Sequence, residues 1–150
     1  MRTFLVKDKR PISKWALLPD ETYYKGEVPA GYDLAVSPTP GYIIVDVDRH
    51  GSKDGFDHIP WGITDELNAT LNYSTRNNGK HYWFKYTGDK KLANKPSGLG
   101  IDLRTSRGYV VFYKGGDFRK YIPEIKDSSK LLNSWLEMLF YGKSLNKKKK

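Results

Sequence analysis

Two carboxylates stand one residue apart near the end of a run of strand-forming residues. The segment 41–51 reads GYIIVDVDRHG and contains Asp46 and Asp48. Side chains two residues apart in a β-strand project from the same face, about 6.5–7 Å from each other. Oxygen donors at that separation suit hard cations such as Mg²⁺ or Mn²⁺. The alternative is that one acid pairs with Arg49 or Lys53 while the other is solvated, and the spacing by itself does not decide between the two.

A histidine further along the chain is a candidate ligand for phosphate. In the predicted strand KHYWFKYT, His81 and Trp83 share one face. The preceding loop carries Arg76 and Lys80 together with free backbone N–H groups, and cations and N–H groups are the donors that phosphate accepts. A histidine beside aromatic residues is more often structural, so this interpretation also stays open.

A third acid repeats the pattern of the first strand. In LGIDLR (99–104), the apolar residues take one face, and Asp102 and Arg104 lie on the other with a glycine. The same arrangement fits a metal ligand or a surface ion pair between Asp102 and Arg104.

These residues depend on a set of predicted strands for their positions. Asn78-Gly79 is a strong signal for a tight turn between two antiparallel strands. The residues TSR (105–107) similarly predict that the strands on either side of them, 99–104 and 108–113, form a pair. The segment 19–41, rich in proline and glycine, is expected to form turns and loops. The predicted strands are 4–6, 42–48, 69–75, 80–87, 99–104 and 108–113.

The predicted helices are fewer. A helical turn is expected in 11–18, and a short helix capped by Thr64 in 61–68. Near the end, leucine and tryptophan recur at helical spacing after Ser128 and Ser129. The mixed order of strands and helices predicts an α+β fold.

The composition limits what the chain can be. A chain of 150 residues, 38% hydrophobic and 14% aromatic, suits one folded domain. It has no cysteine, hence no disulfide and no cysteine zinc site, which suits the cytoplasm. No apolar run has the length of a membrane span, and charge interrupts the N-terminus too early for a secretory signal. The net charge of +9 favours a polyanionic partner, above all nucleic acid.

The order of these motifs resembles the bifunctional primase–polymerase (prim-pol) domain of the archaeo-eukaryotic primase superfamily. The motifs IIVDVDRHG, STRNNGKHYWF, GIDLR and GYVVF follow one another as in that family. The earlier segments KRPI and YDLAVSPTPG resemble the family's entry and the loop before its first motif. The resemblance covers roughly residues 5–115.

The resemblance implies a fold, an activity and partners. The fold would be a single-domain α+β prim-pol fold over 1–142, with an RRM-like mixed or antiparallel sheet, helices packed on it, and an active site in a groove between two sheet units. The activity would be template-directed nucleotidyl transfer, as DNA primase, DNA polymerase or both, in cytoplasmic replication. The partners would be single-stranded DNA template and primer, (d)NTPs, Mg²⁺ or Mn²⁺, and a separate replicative helicase, with no membrane.

The resemblance also implies roles for individual residues. We expect the Asp46 face and the Asp102 face to meet across a groove, with His81 beside it. Residues 143–150 are expected to be a mobile basic tail. The catalytic, metal-binding carboxylates would be Asp46, Asp48 and Asp102. The nucleotide-binding residues would be His81 and, less directly, Arg76, Lys80 and Arg104. The DNA-binding residues of the tail would be Lys147, Lys148, Lys149 and Lys150.

Two other classes of function remain compatible with the residues. One is a nucleic-acid-binding replication accessory that keeps the fold without turnover and tolerates the loss of Asp46. The other is a different metal enzyme, a nuclease or a nucleotide-sugar transferase, because both also use paired acidic residues.

Overall fold

The structure of the protein, a computed structural model, describes the backbone of residues 1–148 and the side chains of residues 1–142. Over that part of the chain, short strands and helices alternate in a mixed order, which confirms the predicted α+β class. The strands are β1 (Arg2–Lys7), β2 (Arg10–Pro11), β3 (Asp33–Ser37), β4 (Tyr42–Val47), β5 (Arg49–His50), β6 (Lys53–Asp54), β7 (Asn72–Ser74), β8 (Lys80–Lys85), β9 (Lys95–Pro96), β10 (Ile101–Arg104), β11 (Val110–Val111) and β12 (Lys126–Asp127). The α-helices are α1 (Trp61–Ala69) and α2 (Lys130–Lys148), and 3₁₀ helices cover Trp15–Leu17, Gly55–His58 and Phe118–Glu124.

A six-stranded sheet carries the candidate site residues. Its order is β12, β8, β4, β10 and β9, and β7 pairs with β8 on the same side as β12. The pairings are antiparallel except that of β12 with β8. The central strand β4 is apolar on both faces until Asp46, as expected of a strand that is covered on both sides.

The two α-helices cover one face of this large sheet. Ile43, Val45 and Val47 of β4 point to that face, as the alternation predicts. Burying a side chain of this kind stabilises the fold by about 1.5–3 kcal/mol. The helical residues of the same apolar cluster are Ile63, Leu67, Leu132, Trp135, Leu136 and Phe140. Over the described residues, no helix is both long enough and apolar enough to cross a bilayer.

A second sheet, of order β11, β3, β1 and β2, covers part of the opposite face. Ile44 and Trp83 of the large sheet are fully buried in a cluster with Val36 and Val110 of the small sheet. Two residues further along β4, where Asp46 lies, a cleft remains between the sheets. The predicted groove between two sheet units is therefore present.

The predicted pairing of the last two strands is wrong. β10 pairs with β4 and β9, whereas β11 pairs with β3, with Val110 opposite Val36. The residues TSR do form a turn, closed by a hydrogen bond from Gly108 N–H to the carbonyl of Thr105. That turn passes the chain from the large sheet to the small one, because a reversal of direction does not require the flanking strands to pair with each other.

Three local expectations also differ from the structure. The segment 19–41, expected to be all loop, contains β3, which lies between β11 and β1. Thr64 does not cap α1, since that helix begins at Trp61, directly after Pro60. The helical turn expected in 11–18 is confined to the 3₁₀ helix Trp15–Leu17.

The C-terminal helix confirms the predicted one but ends later. Residues 143–150 were expected to follow the helix as a tail, whereas the backbone of α2 is helical to Lys148. The predicted tail, 143–150, therefore begins within α2. The side chains of Lys147 and Lys148, and all of Lys149 and Lys150, lie outside the described part of the structure. The mobility of this tail and its binding to DNA stay predictions.

Candidate active site

The acids and the histidine stand in one row across the large sheet. Asp102 of β10 lies opposite Asp46 of β4, and Asp46 lies opposite His81 of β8. Tyr73 of β7 continues the row on the other side of His81. Directly opposed residues of antiparallel strands share a face, with Cβ atoms about 4.5–5.5 Å apart. Asp46 and Asp102 are thus neighbours on one face, which corrects the expectation that they meet across a groove.

Three carboxylates come together at this end of the sheet. Asp46, Asp48 and Asp102 each offer an oxygen that lies within 4.8 Å of an oxygen from each of the other two. Asp46 is only 8% exposed, and the other two are half-buried. The structure therefore brings together all three acids that the sequence singles out.

Asp48 follows the last residue of β4 and is held by backbone bonds to two glycines. Its N–H donates to the carbonyl of Gly100 at 2.8 Å, and its carbonyl accepts from the N–H of Gly55 at 2.9 Å. A Cβ atom on Gly55 would collide with the carbonyl oxygen of Gly100, and Gly100 has a φ of +83°. Glycine at these two positions therefore allows the close approach of the loops that fixes Asp48.

Burial and neighbouring charges act differently on the three acids. Burial would raise the pKa of Asp46, but the His81 ring and then the Arg104 charge outweigh it and hold that pKa below its ordinary value. Burial and the charge of Asp46 raise the pKa of Asp48. Burial also raises the pKa of Asp102, against the opposing effect of Arg104. The cluster therefore holds carboxylates that repel one another, and a bound cation would relieve this repulsion.

The cluster fits a divalent metal ion. Among the described residues, Oδ1 of Asp46 is buried and accepts no hydrogen bond. The Nε2 atom of His81 lies 3.5 Å away, which is longer than a well-formed hydrogen bond. A buried anionic oxygen without a donor is costly, and a cation would compensate it. Asp48 and Asp102 complete an all-oxygen set of the kind that Mg²⁺ and Mn²⁺ prefer.

His81 is buried beside these acids, and its side chain lines the cleft. Its residue is 5% exposed, and its Nδ1 atom lies 3.2 Å from the hydroxyl oxygen of Tyr73. The ring of Tyr113 lies 6.2 Å from the imidazole, between ring centroids. The sequence did not single out either tyrosine, because only the strand register shows which aromatic residues stand beside His81.

Two of the predicted basic residues line the cleft, whose volume is about 450 Å³. Arg104 lies beside the acids, with Nη2 at 3.6 Å from Oδ2 of Asp102. Arg76 lies in the turn between β7 and β8, with Nη2 at 3.4 Å from Oδ2 of Asp33, the first residue of β3. The Arg76 side chain therefore spans the two sheets at one end of the cleft.

Lys80 is not part of the cleft. Its Nζ atom lies 3.3 Å from Oδ1 of Asn72 and 5.9 Å from the ring centroid of Tyr82. Tyr82 belongs to the cluster on the helix-covered face. The alternation of side chains along a strand predicts that Lys80 and His81 point to opposite faces, because the two residues are adjacent in β8. The sequence interpretation treated Lys80 as part of the phosphate-facing loop instead.

The cleft has further polar residues that the sequence did not single out. Lys9 comes from the turn between β1 and β2, and Arg107 from the turn that leads into β11. His50 lies close to the acids, with Nε2 at 3.9 Å from Oδ2 of Asp48. His50 is near the acids because it follows Asp48 by two residues in the chain. Lys9 and Arg107 lie in turns of the small sheet, and only the packing of that sheet against the large one brings them to the cleft.

A second cavity, of about 530 Å³, lies between the loop 24–28 and the loop 115–119. It contains none of the three clustered acids. The charged residues Asp117 and Arg119 in its wall pair with each other at 3.1 Å. We therefore place the candidate chemistry in the smaller cleft.

One protein family matches most of the chain. The model of a protein family described as bifunctional DNA primase/polymerase, N-terminal, matches residues 6–115. The matched region contains the three acids and His81 and covers most of the chain. No curated protein matches the chain significantly.

Proposed function

Since the chain belongs to the family of bifunctional DNA primase/polymerase N-terminal domains, we propose that it is a template-directed nucleotidyltransferase. It would act as a DNA primase, a DNA polymerase or both, with (d)NTPs as substrates and single-stranded DNA as template. The observation that carries the proposal is the row of Asp102, Asp46 and His81, with Asp48 beside it, in the cleft between the sheets. These residues combine a cluster of acids suited to a metal ion with a histidine that can donate a hydrogen bond to phosphate.

The proposed reaction extends a primer by one nucleotide. The primer 3′-hydroxyl gives its proton to solvent, and its oxygen bonds to the α-phosphorus of the nucleotide. The bond from that phosphorus to the oxygen bridging to the β-phosphate breaks, and pyrophosphate leaves. Asp46, Asp48 and Asp102 would hold Mg²⁺ or Mn²⁺. When bound, such ions supply activation of the attacking oxygen and neutralise the leaving pyrophosphate.

The other cleft residues would bind and orient the nucleotide. An N–H of His81 can donate a hydrogen bond to a phosphate oxygen beside the acids. Arg104 and Arg76 can attract the triphosphate, and guanidinium groups suit phosphate geometry. To reach it, Arg76 would exchange its partner Asp33 for phosphate, which their exposed pairing makes inexpensive.

Positive charge on the small-sheet side supports DNA as the second substrate. Lys9 and Arg107 line the wall of the cleft formed with β11. Contacts from lysine and arginine to phosphate position DNA without reading its sequence, as a template-directed enzyme needs. The net charge of +9 also favours binding to the negatively charged DNA backbone. We further propose that the protein acts in the cytoplasm and that a separate helicase supplies the single strand.

One assay tests the proposal against its alternatives. The protein is incubated with single-stranded DNA, labelled nucleotides and Mg²⁺ or Mn²⁺, with and without an annealed primer, and the products are resolved on a gel. Labelled products that need both template and metal support the proposal. DNA degradation without nucleotides would indicate a nuclease. DNA binding without any product, under all these conditions, would indicate a replication accessory.

A further inference from the structure

A chain of buried hydrogen-bonding groups reaches His81 along the sheet. The Nε1–H of Trp83 donates to the hydroxyl oxygen of Tyr73 at 3.0 Å, and the same oxygen lies 3.2 Å from Nδ1 of His81. Trp83 is fully buried, and Tyr73 is 7% exposed. The proposed reaction uses neither of these two polar groups, so their burial needs another explanation.

The direction of these bonds follows from the indole group. An indole nitrogen can only donate, so the Tyr73 oxygen accepts from Trp83 and its own proton needs an acceptor. Among the described residues, the other hydrogen-bonding contact of that oxygen is Nδ1 of His81. Tyr73 therefore donates to Nδ1, which leaves the imidazole proton on Nε2. The reverse direction would bury the Tyr73 hydroxyl proton without an acceptor, which is costly.

The proton is thereby placed on the nitrogen that faces the acids. Nε2 of His81 lies 3.5 Å from Oδ1 of Asp46, whereas Nδ1 faces Tyr73. Phosphate oxygens at neutral pH chiefly accept hydrogen bonds, so a His81 without a proton on Nε2 would repel a phosphate there. The tautomer set by Tyr73 is the one that can bind phosphate.

The packing of Tyr73 does not explain its hydroxyl group. Its ring packs edge-on against His81 at 5.3 Å and against Phe112 at 5.1 Å, between centroids. A phenylalanine would make the same ring contacts but would leave the buried Nε1–H of Trp83 without an acceptor. The Tyr73 hydroxyl therefore serves two neighbours, because its oxygen accepts from Trp83 and its proton is available to His81.

We propose that Tyr73 is a positioning residue that holds His81 in the tautomer with its proton on Nε2 and directs that proton into the cleft. The Nε1–H of Trp83 donates to the Tyr73 oxygen and so leaves the Tyr73 hydroxyl proton to donate to His81. The assignment of the tautomer is argued from these hydrogen bonds and does not depend on the proposed function. The role of that tautomer in binding a nucleotide rests on the proposed function.

The tautomer is measured directly by long-range ¹H–¹⁵N correlation NMR of the ¹⁵N-labelled, metal-free protein. The sequence contains three histidines, so His50 and His58 are replaced by glutamine to leave His81 as the only imidazole signal. In this background we expect one tautomer, with Nε2 protonated and Nδ1 not. Nδ1 protonated instead of Nε2 would overturn the proposal without any further variant.

Tyr73→Phe then removes only the hydroxyl group. We expect the His81 signals to shift to a mixture of tautomers while the backbone spectrum stays that of the folded protein. Tyr113→Phe is the matched control, since Tyr113 also lies beside the imidazole but makes no hydrogen bond to it in the described structure. An unchanged single tautomer in Tyr73→Phe, or the same shift in Tyr113→Phe, would refute a specific role of the Tyr73 hydroxyl.

Nucleotide affinity separates the positioning role from the proposed function. We expect Tyr73→Phe to weaken dNTP binding about three- to tenfold, which corresponds to one neutral hydrogen bond. If His81→Ala weakens dNTP binding but Tyr73→Phe changes neither tautomer nor affinity, the positioning role fails and the function stands. If Tyr73→Phe shifts the tautomer but His81→Ala leaves dNTP affinity unchanged, the positioning role stands and the phosphate role of His81 fails.

Discussion

Asp46 and Asp102 lie directly opposite each other on the neighbouring antiparallel strands β4 and β10. Like charges in that position destabilise a sheet. Arg104, two residues after Asp102, offsets part of the repulsion at 3.6 Å. The proposed metal ion would relieve the remaining repulsion, which makes the site sensitive to changes of single charges.

Asp46→Asn and Asp102→Asn should abolish the chemistry without unfolding the protein. Each change removes an anionic ligand but keeps the shape of the side chain, so nucleotide incorporation should fall by orders of magnitude. Incorporation is measured by primer extension, and DNA binding, which should persist, by fluorescence anisotropy. Asp117→Asn, in the wall of the other cavity, is the matched control and should extend primers normally. Near-normal incorporation by Asp46→Asn would remove the catalytic role from β4.

Asp48→Asn should stabilise the metal-free protein at neutral pH. Burial and the charge of Asp46 raise the pKa of Asp48 in the folded state, so its carboxylate costs stability above that raised pKa. Below the unfolded value, about 3.9, the group is protonated in both states and the cost vanishes. The variant should therefore melt at a higher temperature than the wild type at pH 7, and the gain should disappear as the pH falls below about 4.

Metal ions provide a second readout for the same variant. Saturating Mg²⁺ or Mn²⁺ should raise the melting temperature of the wild type more than that of Asp48→Asn, because the wild type binds the ion more tightly. Asp65→Asn changes an exposed acid of α1 and should leave both melting curves unchanged. A lower melting temperature of metal-free Asp48→Asn at pH 7 would show that the Asp48 carboxylate stabilises the fold.

His81→Ala should weaken nucleotide binding and slow incorporation more than it changes DNA affinity. The reason is that the imidazole lies beside the acids, where the triphosphate is expected. Nucleotide affinity is measured by isothermal titration calorimetry in the presence of metal. His58→Ala, at an exposed histidine of a 3₁₀ helix, serves as the control. A lower melting temperature with unchanged nucleotide affinity would assign His81 to the core alone.

Arg104→Ala and Lys80→Ala should have different effects on nucleotide binding, although the sequence analysis assigned both residues to that role. Arg104 lines the cleft, whereas Lys80 points to the helix-covered face. We expect Arg104→Ala to weaken dNTP binding roughly tenfold, in the range of a charge-assisted hydrogen bond. Lys80→Ala should leave dNTP affinity within about twofold of the wild type. Equal losses in the two variants would contradict the assignment of faces.

Deleting residues 146–150 should weaken DNA binding at low salt. Four lysines stand in this segment, and each phosphate contact adds roughly 0.7 to the salt slope on single-stranded DNA. The affinity, measured across a salt series, should therefore show a flatter dependence, while incorporation at saturating DNA persists. A truncated protein that unfolds, or that loses turnover at saturation, would make this segment part of the fold or the site.

Much of the site could be predicted because it depends on local geometry. The period of two along a strand places Asp46 and Asp48 on one face and His81 on the same face as Trp83. The loop 75–79 joins β7 and β8 in a hairpin, and Asn78 supplies a residue of positive φ, +61°, in that loop. These features follow from neighbours in the chain, so the sequence by itself determined them.

The neighbours of each strand were decided by the tertiary structure. The TSR turn looked like a hairpin, yet β11 pairs with β3, and β10 lies beside β4. As a result, Asp102 stands next to Asp46 on the same sheet rather than on the other side of the groove. Strand order depends on how apolar faces from distant segments pack together, and several orders satisfy the same local pattern. The sequence alone therefore predicted the three acids and His81 as candidates and the face of its strand that each one takes, whereas only the pairing and packing of distant strands decided how they come together.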